Sequence, residues 1–329
     1  MSVGTAGVST RNQAMVSTIL GPVKPSELGP VSTHEHLLVF DDEAMVLREL
    51  AAFKDAGGST LVECTTLGIV DIQHRGRHAE RLAWLSRQSG VKIVAGTGFY
   101  KEPKLPSFVA DWTVDQLAAH MIREIREGIG GTAHRAGIIG EVGSSNYRVF
   151  PTEEKVLRAA ARAQLATGVA ISTHTGRATM TDKQLDIFEQ EGVDLGRVVI
   201  GHLDVYPRLH EKRHVYDEIL ARGAYAQFDT LGKEGFFELE LDPGYGQKFP
   251  YDRDRAEMVA ELVEAGHIDH ILLACDVDTL SLTRTGGGGG YARAMTFHQL
   301  LLEAGLSREQ IGRITVDNPR ALLGVMPVS

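Results

Sequence analysis

The chain has 329 residues, with 34 Lys+Arg against 43 Asp+Glu, a formal net charge of −9 and a pI near 5.8. That length accommodates two average domains or one large α/β barrel, and the acidic balance excludes a nucleic acid or an anionic membrane surface as the main partner. Cys64 and Cys275 both lie in apolar, strand-like runs, which is no disulfide framework and suits a reducing cytoplasm, and no apolar run approaches the length of a bilayer span.

Residues 1–15, rich in Ser, Thr and Gly without an apolar core, predict a flexible tail rather than a secretory signal. Residues 16–329 then form a single barrel domain. Residues 14–19 and 31–33 read as short strands flanking a Pro/Gly-rich turn, an N-terminal β-hairpin. Strand and helix alternate from there. Helical pattern covers 42–55, 78–88 and 113–128, and strand pattern covers 60–65, 91–96 and 136–141. An Ala-rich helix over 152–166 opens on Thr152, with acids at 153 and 154 complementing its dipole. Strands at 169–173, 198–201, 224–228 and 271–274 complete eight βα units counted from Val31. Near-continuous apolar strands imply a parallel sheet covered on its outside. Eight units favour closure as a (β/α)8 TIM barrel, whose chemistry sits at the strand C-terminal ends. A doubly wound open sheet is disfavoured because no Gly-x-Gly-x-x-Gly follows an early strand.

The strand ends carry a series of ligand-type residues. His34 and His36, at i and i+2 on one strand, share a face, while Glu35 points the other way. Glu141, His174, His202 and Asp276 each close a later apolar run. Four imidazoles and two carboxylates at one barrel rim suit Zn²⁺ or a similar divalent ion. Six ligands are too many for one tetrahedral site and fit two ions, about 3.5–4 Å apart, sharing a carboxylate.

The order of these residues resembles the amidohydrolase superfamily. The local wording, Thr33-His34-Glu35-His36, Arg135-Ala136-Gly137-Ile138-Ile139, Ser172-Thr173-His174-Thr175, Ile200-Gly201-His202 and Asp317-Asn318-Pro319, resembles its phosphotriesterase family. The resemblance implies that His34, His36 and Asp276 hold a buried ion and His174 and His202 an exposed one. It implies two divalent ions, zinc first, with manganese, cobalt or iron as alternatives, and a homodimer. Organophosphate-hydrolysing members carry a carboxylated lysine after the Ile-Ile pair. Here Gly140-Glu141-Val142-Gly143 stands there, as in the branch resembling the phosphotriesterase homology and phosphotriesterase-related proteins, so Glu141 supplies the bridge. In the resembled mechanism a metal-bridging hydroxide attacks a polarised carbonyl, and Asp276 takes its proton and passes it on.

Substrate contacts follow from the same resemblance. Tyr100 matches a tyrosine abutting the metals in the lactonases, with packing under a loop as the alternative. Lys233, in Asp229-Thr230-Leu231-Gly232-Lys233, matches a lysine near the substrate. The Gly-rich segment 284–293 runs into a helix at 295–304, and with Lys233, Arg284 and Arg293 it offers an anion site, or else a mobile lid. Glu63 and Asp229 are either structural or site residues. The remaining histidines (74, 78, 120, 134, 210, 214, 267, 270 and 298) are read as surface or packing residues. The expected function is hydrolysis of a small polar or anionic lactone, including a sugar lactone phosphate. The alternatives are an N-acyl amino acid or sulfonate amidase, a promiscuous phosphotriesterase, and, from another class, a ligand-binding protein on an inactive barrel.

Overall fold

A computed structural model describes residues 14–206, 208–234 and 249–326. The expected tail lies outside the described residues up to position 13. Met15 is tied to Val325 by two backbone hydrogen bonds of 2.9 Å. A two-stranded antiparallel hairpin follows, β1 (Val16–Thr18) and β2 (Gly21–Val23). Its second strand is not 31–33 but 21–23. Gly21 at φ 124° lets the chain reverse at once, and the Thr18 hydroxyl donates to the Gly21 carbonyl at 2.6 Å.

Residues 31–35 instead open the barrel. Its eight parallel strands are β3 (Val31–Glu35), β4 (Thr60–Glu63), β5 (Lys92–Thr97), β6 (Ile138–Ser144), β7 (Ile171–Thr175), β8 (Val198–Ile200), β9 (Tyr225–Phe228) and β10 (Ile271–Leu273), adjacent in chain order. The sheet curls until β10 meets β3. There the Asp276 N–H donates to the His34 carbonyl, and the Thr33 hydroxyl donates to the Leu273 carbonyl, both at 3.1 Å. The seam of the barrel thus joins two of the expected metal-ligand segments.

Strand alternation sorts the apolar side chains into two bodies. One fills the barrel: Val31, Val62, Val94, Ile138, Val199 and Leu272 pack with Val16 of the hairpin and Leu322 near the C-terminus. These elements plug the N-terminal mouth, so only the C-terminal mouth is left for a site. The larger body, including Leu61, Ile93, Ile139, Ile171, Ile200 and Phe228, lies between strands and helices.

The helices start where local chemistry caps them. In Val114–Arg126, Thr113 and Gln116 satisfy each other's backbone N–H groups at 3.2 and 2.8 Å. The Ala-rich helix runs Pro151–Thr167, a residue earlier than expected. Glu153 accepts the Phe150 N–H at 2.8 Å, while Thr152 donates its hydroxyl to Glu102 at 2.6 Å instead of capping. The expected helix at 295–304 is two short pieces, Arg293–Thr296 and His298–Glu303.

Candidate metal centre

All six ligand-type residues converge at the C-terminal mouth. Ligand atoms of His34, His36 and Glu141 lie within 4.8 Å of one another, as do those of His34, His202 and Asp276, and those of Glu141, His174 and His202. Glu141 joins the first of these groups to the third: one carboxylate oxygen stands 3.1 Å from His174 Nδ1 and 3.3 Å from His202 Nε2, the other 3.3 Å from His36 Nε2. Asp276 closes the other side, 3.1 Å from His36 Nε2 and 3.6 Å from His34 Nε2.

The backbone is shaped to permit this. Gly140, at φ 145°, puts its missing Cβ 2.4 Å from the Ser172 carbonyl oxygen, so only glycine lets β6 deliver Glu141 so close to β7. His202 and Asp276 adopt left-handed conformations (φ 55° and 50°), rare for residues with a side chain.

These residues fit divalent metal ions. Two carboxylates and four imidazoles share one nearly dry space, and the buried His34 Nε2, aimed among them, has no hydrogen-bond partner among the described residues. Second contacts hold the rings as ligands require. Asp229 accepts from His202 at Nδ1 and at its backbone N–H, each at 3.0 Å, and takes the Gln227 amide at 2.8 Å. Thr65 Oγ1 stands 2.9 Å from His36 Nδ1. Asp229 is therefore the orienting partner of a ligand. Glu63, 1% exposed, accepts the Leu37 and Thr65 N–H groups and fixes the ends of β3 and β4.

The cluster divides its charge: against their own burial, His36 is raised well above an ordinary imidazole by Asp276 and Glu141, and His202 by Asp229 and Glu141. Burial, then the neighbouring His202, pulls His174 down to about 4, and burial likewise pulls His34 down, so both rings favour the neutral, ligating form. Burial opposes ionisation of Asp276, but the Lys233 ammonium, followed by His36, outweighs it and holds the carboxyl well below the usual carboxylate range. Glu141 is likewise held low against its own burial, by His174, His202 and His36.

A cavity of about 930 Å³ stands over the cluster and is lined by His36, Glu141, His174, His202 and Asp276. Tyr100 enters it, its hydroxyl 3.2 Å from His174 Nδ1. Lys233 also lines it but is already engaged, donating to Asp276 Oδ2 at 2.5 Å with Asp278 at 3.6 Å. Arg284 and Arg293 are not among the lining residues. Asp252 captures Arg293 at 2.6 Å, in a buried network where Arg255 donates to Asp252 and Asp204. The glycine segment turns to Glu49, which accepts the Thr285 N–H at 3.3 Å, so this backbone donor serves a fixed carboxylate. Lys101, Lys104, Arg148 and Arg177 are lining cations that sequence reasoning missed. They lie in loops after β5, β6 and β7, where no motif marks them. Among the other histidines, His134 holds the Ile19 carbonyl at 2.8 Å and His120 is buried beside Glu124, consistent with packing roles.

Known proteins resemble this chain in sequence and fold. Residues 14–323 match the Phosphotriesterase family. The chain is 33% identical to the phosphotriesterase homology protein of Escherichia coli (strain K12) over 304 residues, covering 88% of this chain and 96% of that protein. The crystal structure of that protein, with phosphate in its active site, superposes with a TM-score of 0.79 over 90% of this chain and 99% of the other. An N-acetyltaurine hydrolase of Mus musculus is 31% identical, covering 94% of this chain and 97% of its own. A mutant of a PTE-like lactonase from Deinococcus radiodurans superposes at a TM-score of 0.78 and 28% identity, over 94% of this chain and 100% of its own. The match over nearly the whole chain, on a barrel whose mouth gathers a binuclear-type ligand set, shows that the protein is a metal-dependent hydrolase belonging to the phosphotriesterase family of the amidohydrolase superfamily.

Proposed function

We propose that the protein hydrolyses a small polar or anionic lactone at a binuclear centre, with His34, His36 and Asp276 holding the buried ion, His174 and His202 the exposed one, and Glu141 bridging. The observation that carries this reading is Glu141 itself, a carboxylate reaching His36, His174 and His202 at once. Zinc suits the donor set best, with manganese, cobalt or iron as substitutes. Metal ions held by these residues would supply Lewis acidity, activating water and polarising the substrate carbonyl.

The remaining work falls to side chains. Asp276, kept ionised beside Lys233, is the proton acceptor, and its Oδ2 delivers the proton to the leaving oxygen. Lys233 holds that carboxylate in place and stabilises its charge. Tyr100, contacting His174, bounds the space beside that ring and would orient the carbonyl there. We further infer a homodimer acting in the cytoplasm. No helix among the described residues is long and apolar enough to cross a membrane.

A second reading is an amidase for N-acyl amino acids or sulfonates. It is favoured by the likeness to the mouse N-acetyltaurine hydrolase over 94% of the chain. A pH-indicator assay with metal-loaded protein, across lactones with and without phosphate, N-acyl amino acids, N-acetyltaurine and a phosphotriester, separates the readings. Lactone turnover supports the first. Turnover of the N-acyl compounds alone replaces it with the second, and no turnover of any leaves a binding protein on an inactive barrel.

A further inference from the structure

The cavity over the metal centre has one wall of unusual charge. On the loop after β5, Tyr100 has Lys101 Nζ and Lys104 Nζ at 5.5 and 5.7 Å from its ring centroid. On the loop after β6, the Arg148 guanidinium lies over the Phe150 ring, 3.9 Å from its centroid. All of these residues line the cavity. Glu102 shares the wall but accepts the Thr152 hydroxyl at 2.6 Å.

Several arginines outside the cavity are paired with acids. Arg158 bonds Glu154 and Glu191, Arg213 bonds Asp217, and Arg222 bonds Asp186 and Glu189. The cavity's Lys233 is occupied by Asp276, and Lys101 donates to the Glu102 carbonyl. Arg148 and Lys104 differ. Neither has a carboxylate within ion-pair distance among the described residues, in a chain whose net charge is −9 and whose acids outnumber its bases. A guanidinium laid on an aromatic ring loses no in-plane N–H donor to it, and its reduced freedom lowers the cost of binding a planar oxyanion.

We propose that Arg148 and Lys104 form a recognition site for an oxyanion, a carboxylate, sulfonate or phosphate, at the end of the substrate remote from the scissile carbonyl. The inference rests on the hydrolase reading above and narrows its substrate to anionic esters and amides. Tyr100 sets the scale: its hydroxyl touches a metal-ligand histidine while its ring carries the lysines. Lys104 therefore stands about one tyrosine side chain away from the ligand cluster, a span that a short substrate covers.

The test compares phenyl acetate with its anionic counterpart, 4-acetoxybenzenesulfonate, using metal-loaded wild type, Arg148→Leu and the Arg148→Leu/Lys104→Met double variant. The ratio of kcat/KM, charged over neutral, is expected to fall on the order of tenfold in the double variant, through KM. Arg148→Lys should restore part of it, and added salt should erode the preference of wild type more than that of the double variant. A ratio unchanged by the double substitution overturns the proposal. Failure of wild type to cleave either ester counts against the hydrolase reading instead. The anion site is then read by calorimetric binding of succinate, ethanesulfonate and inorganic phosphate. An affinity loss on the order of tenfold in the double variant supports the site and the ranking identifies the oxyanion, whereas equal affinity overturns it.

Discussion

Asp276 holds a backbone conformation (φ 50°) that costs a residue with a side chain on the order of 1 kcal/mol, so neighbours must impose it. Three consecutive N–H groups do so. Cys275 and Val277 donate to the two Glu35 carboxylate oxygens at 2.9 and 3.0 Å, and Asp276 donates to the His34 carbonyl at 3.1 Å. The residue between the two histidines, which faces away from them, thus positions the carboxylate that completes their site across the barrel seam. Glu35→Gln replaces one acceptor oxygen with an N–H2 facing an N–H. It is expected to lower stability by about 2 kcal/mol in chemical denaturation and to weaken metal binding by roughly 10–100-fold in a chelator competition. Unaltered metal affinity would show that Asp276 does not depend on this clamp. Asp276→Asn should retain metal by elemental analysis and lose turnover by about 10²–10⁴-fold, the usual weight of a general base; persistent activity would remove Asp276 from proton transfer. The six ligand-type residues were legible because each closes an apolar run, and strand ends share one rim whatever the loops do. Lys233 and Arg293 were harder. Their partners, Asp276 and Asp252, are distant in sequence, and which acid captures a long cationic side chain is a matter of tertiary geometry.

Between elements, a buried ion pair fastens the helix Arg75–Ser89 to the helix Val114–Arg126 and both to the barrel. Arg75 donates to Glu124 at 2.6 Å and to the Gly96 carbonyl at 3.0 Å, and Thr97 donates its hydroxyl to the same carboxylate at 2.6 Å. Burial opposes ionisation of Glu124, but Arg75 outweighs it and the carboxyl titrates below its ordinary 4.5. A depressed folded value means that the unfolded chain takes up the proton first. The stabilisation is therefore complete above pH 4.5 and is lost as pH falls through the folded value. Glu124→Gln, which leaves Arg75 buried without a counter-charge, is expected to cost about 3 kcal/mol at neutral pH. Denaturant titrations of both proteins should converge below pH 4.5, and a gap that stayed constant with pH would show that charge is not the cause. The strand and helix order of the barrel was readable because buried parallel strands leave apolar runs of a fixed length. The ends of elements were less so. Pro22 concealed an edge strand that needs few donors, and Thr152 resembled a cap although Glu102 competes for its hydroxyl.

Across the whole molecule, the ligand set draws on β3, β6 and β7 and on the segments just after β8 and β10, so bound ions would tie the barrel circumference together. Without cations, Glu141 and Asp276 share a dry space whose imidazoles are partly neutral, an arrangement that metal binding relieves. Each ion that binds only the folded state adds RT ln(1 + [L]/Kd), about 2.7 kcal/mol at a hundredfold excess over Kd. For a chain of this size, removing two ions should lower Tm by roughly 10 °C. Acid should weaken the centre further. His174 titrates at about 4 when folded against an ordinary 6.5, so its protons favour the unfolded chain over that interval, and its own contribution to stability falls as pH drops from 6.5 toward 4. Protonation also removes a ligand, so metal affinity declines in the same direction. Scanning calorimetry of metal-loaded and chelator-treated protein at several pH values checks both effects. The Tm difference between the two forms should be large at neutral pH, shrink as acid displaces the ions, and vanish once His174 is charged. Equal Tm for both forms at neutral pH would mean that the folded barrel gains nothing from metal, and that its carboxylates are balanced by Lys233 and the histidines alone.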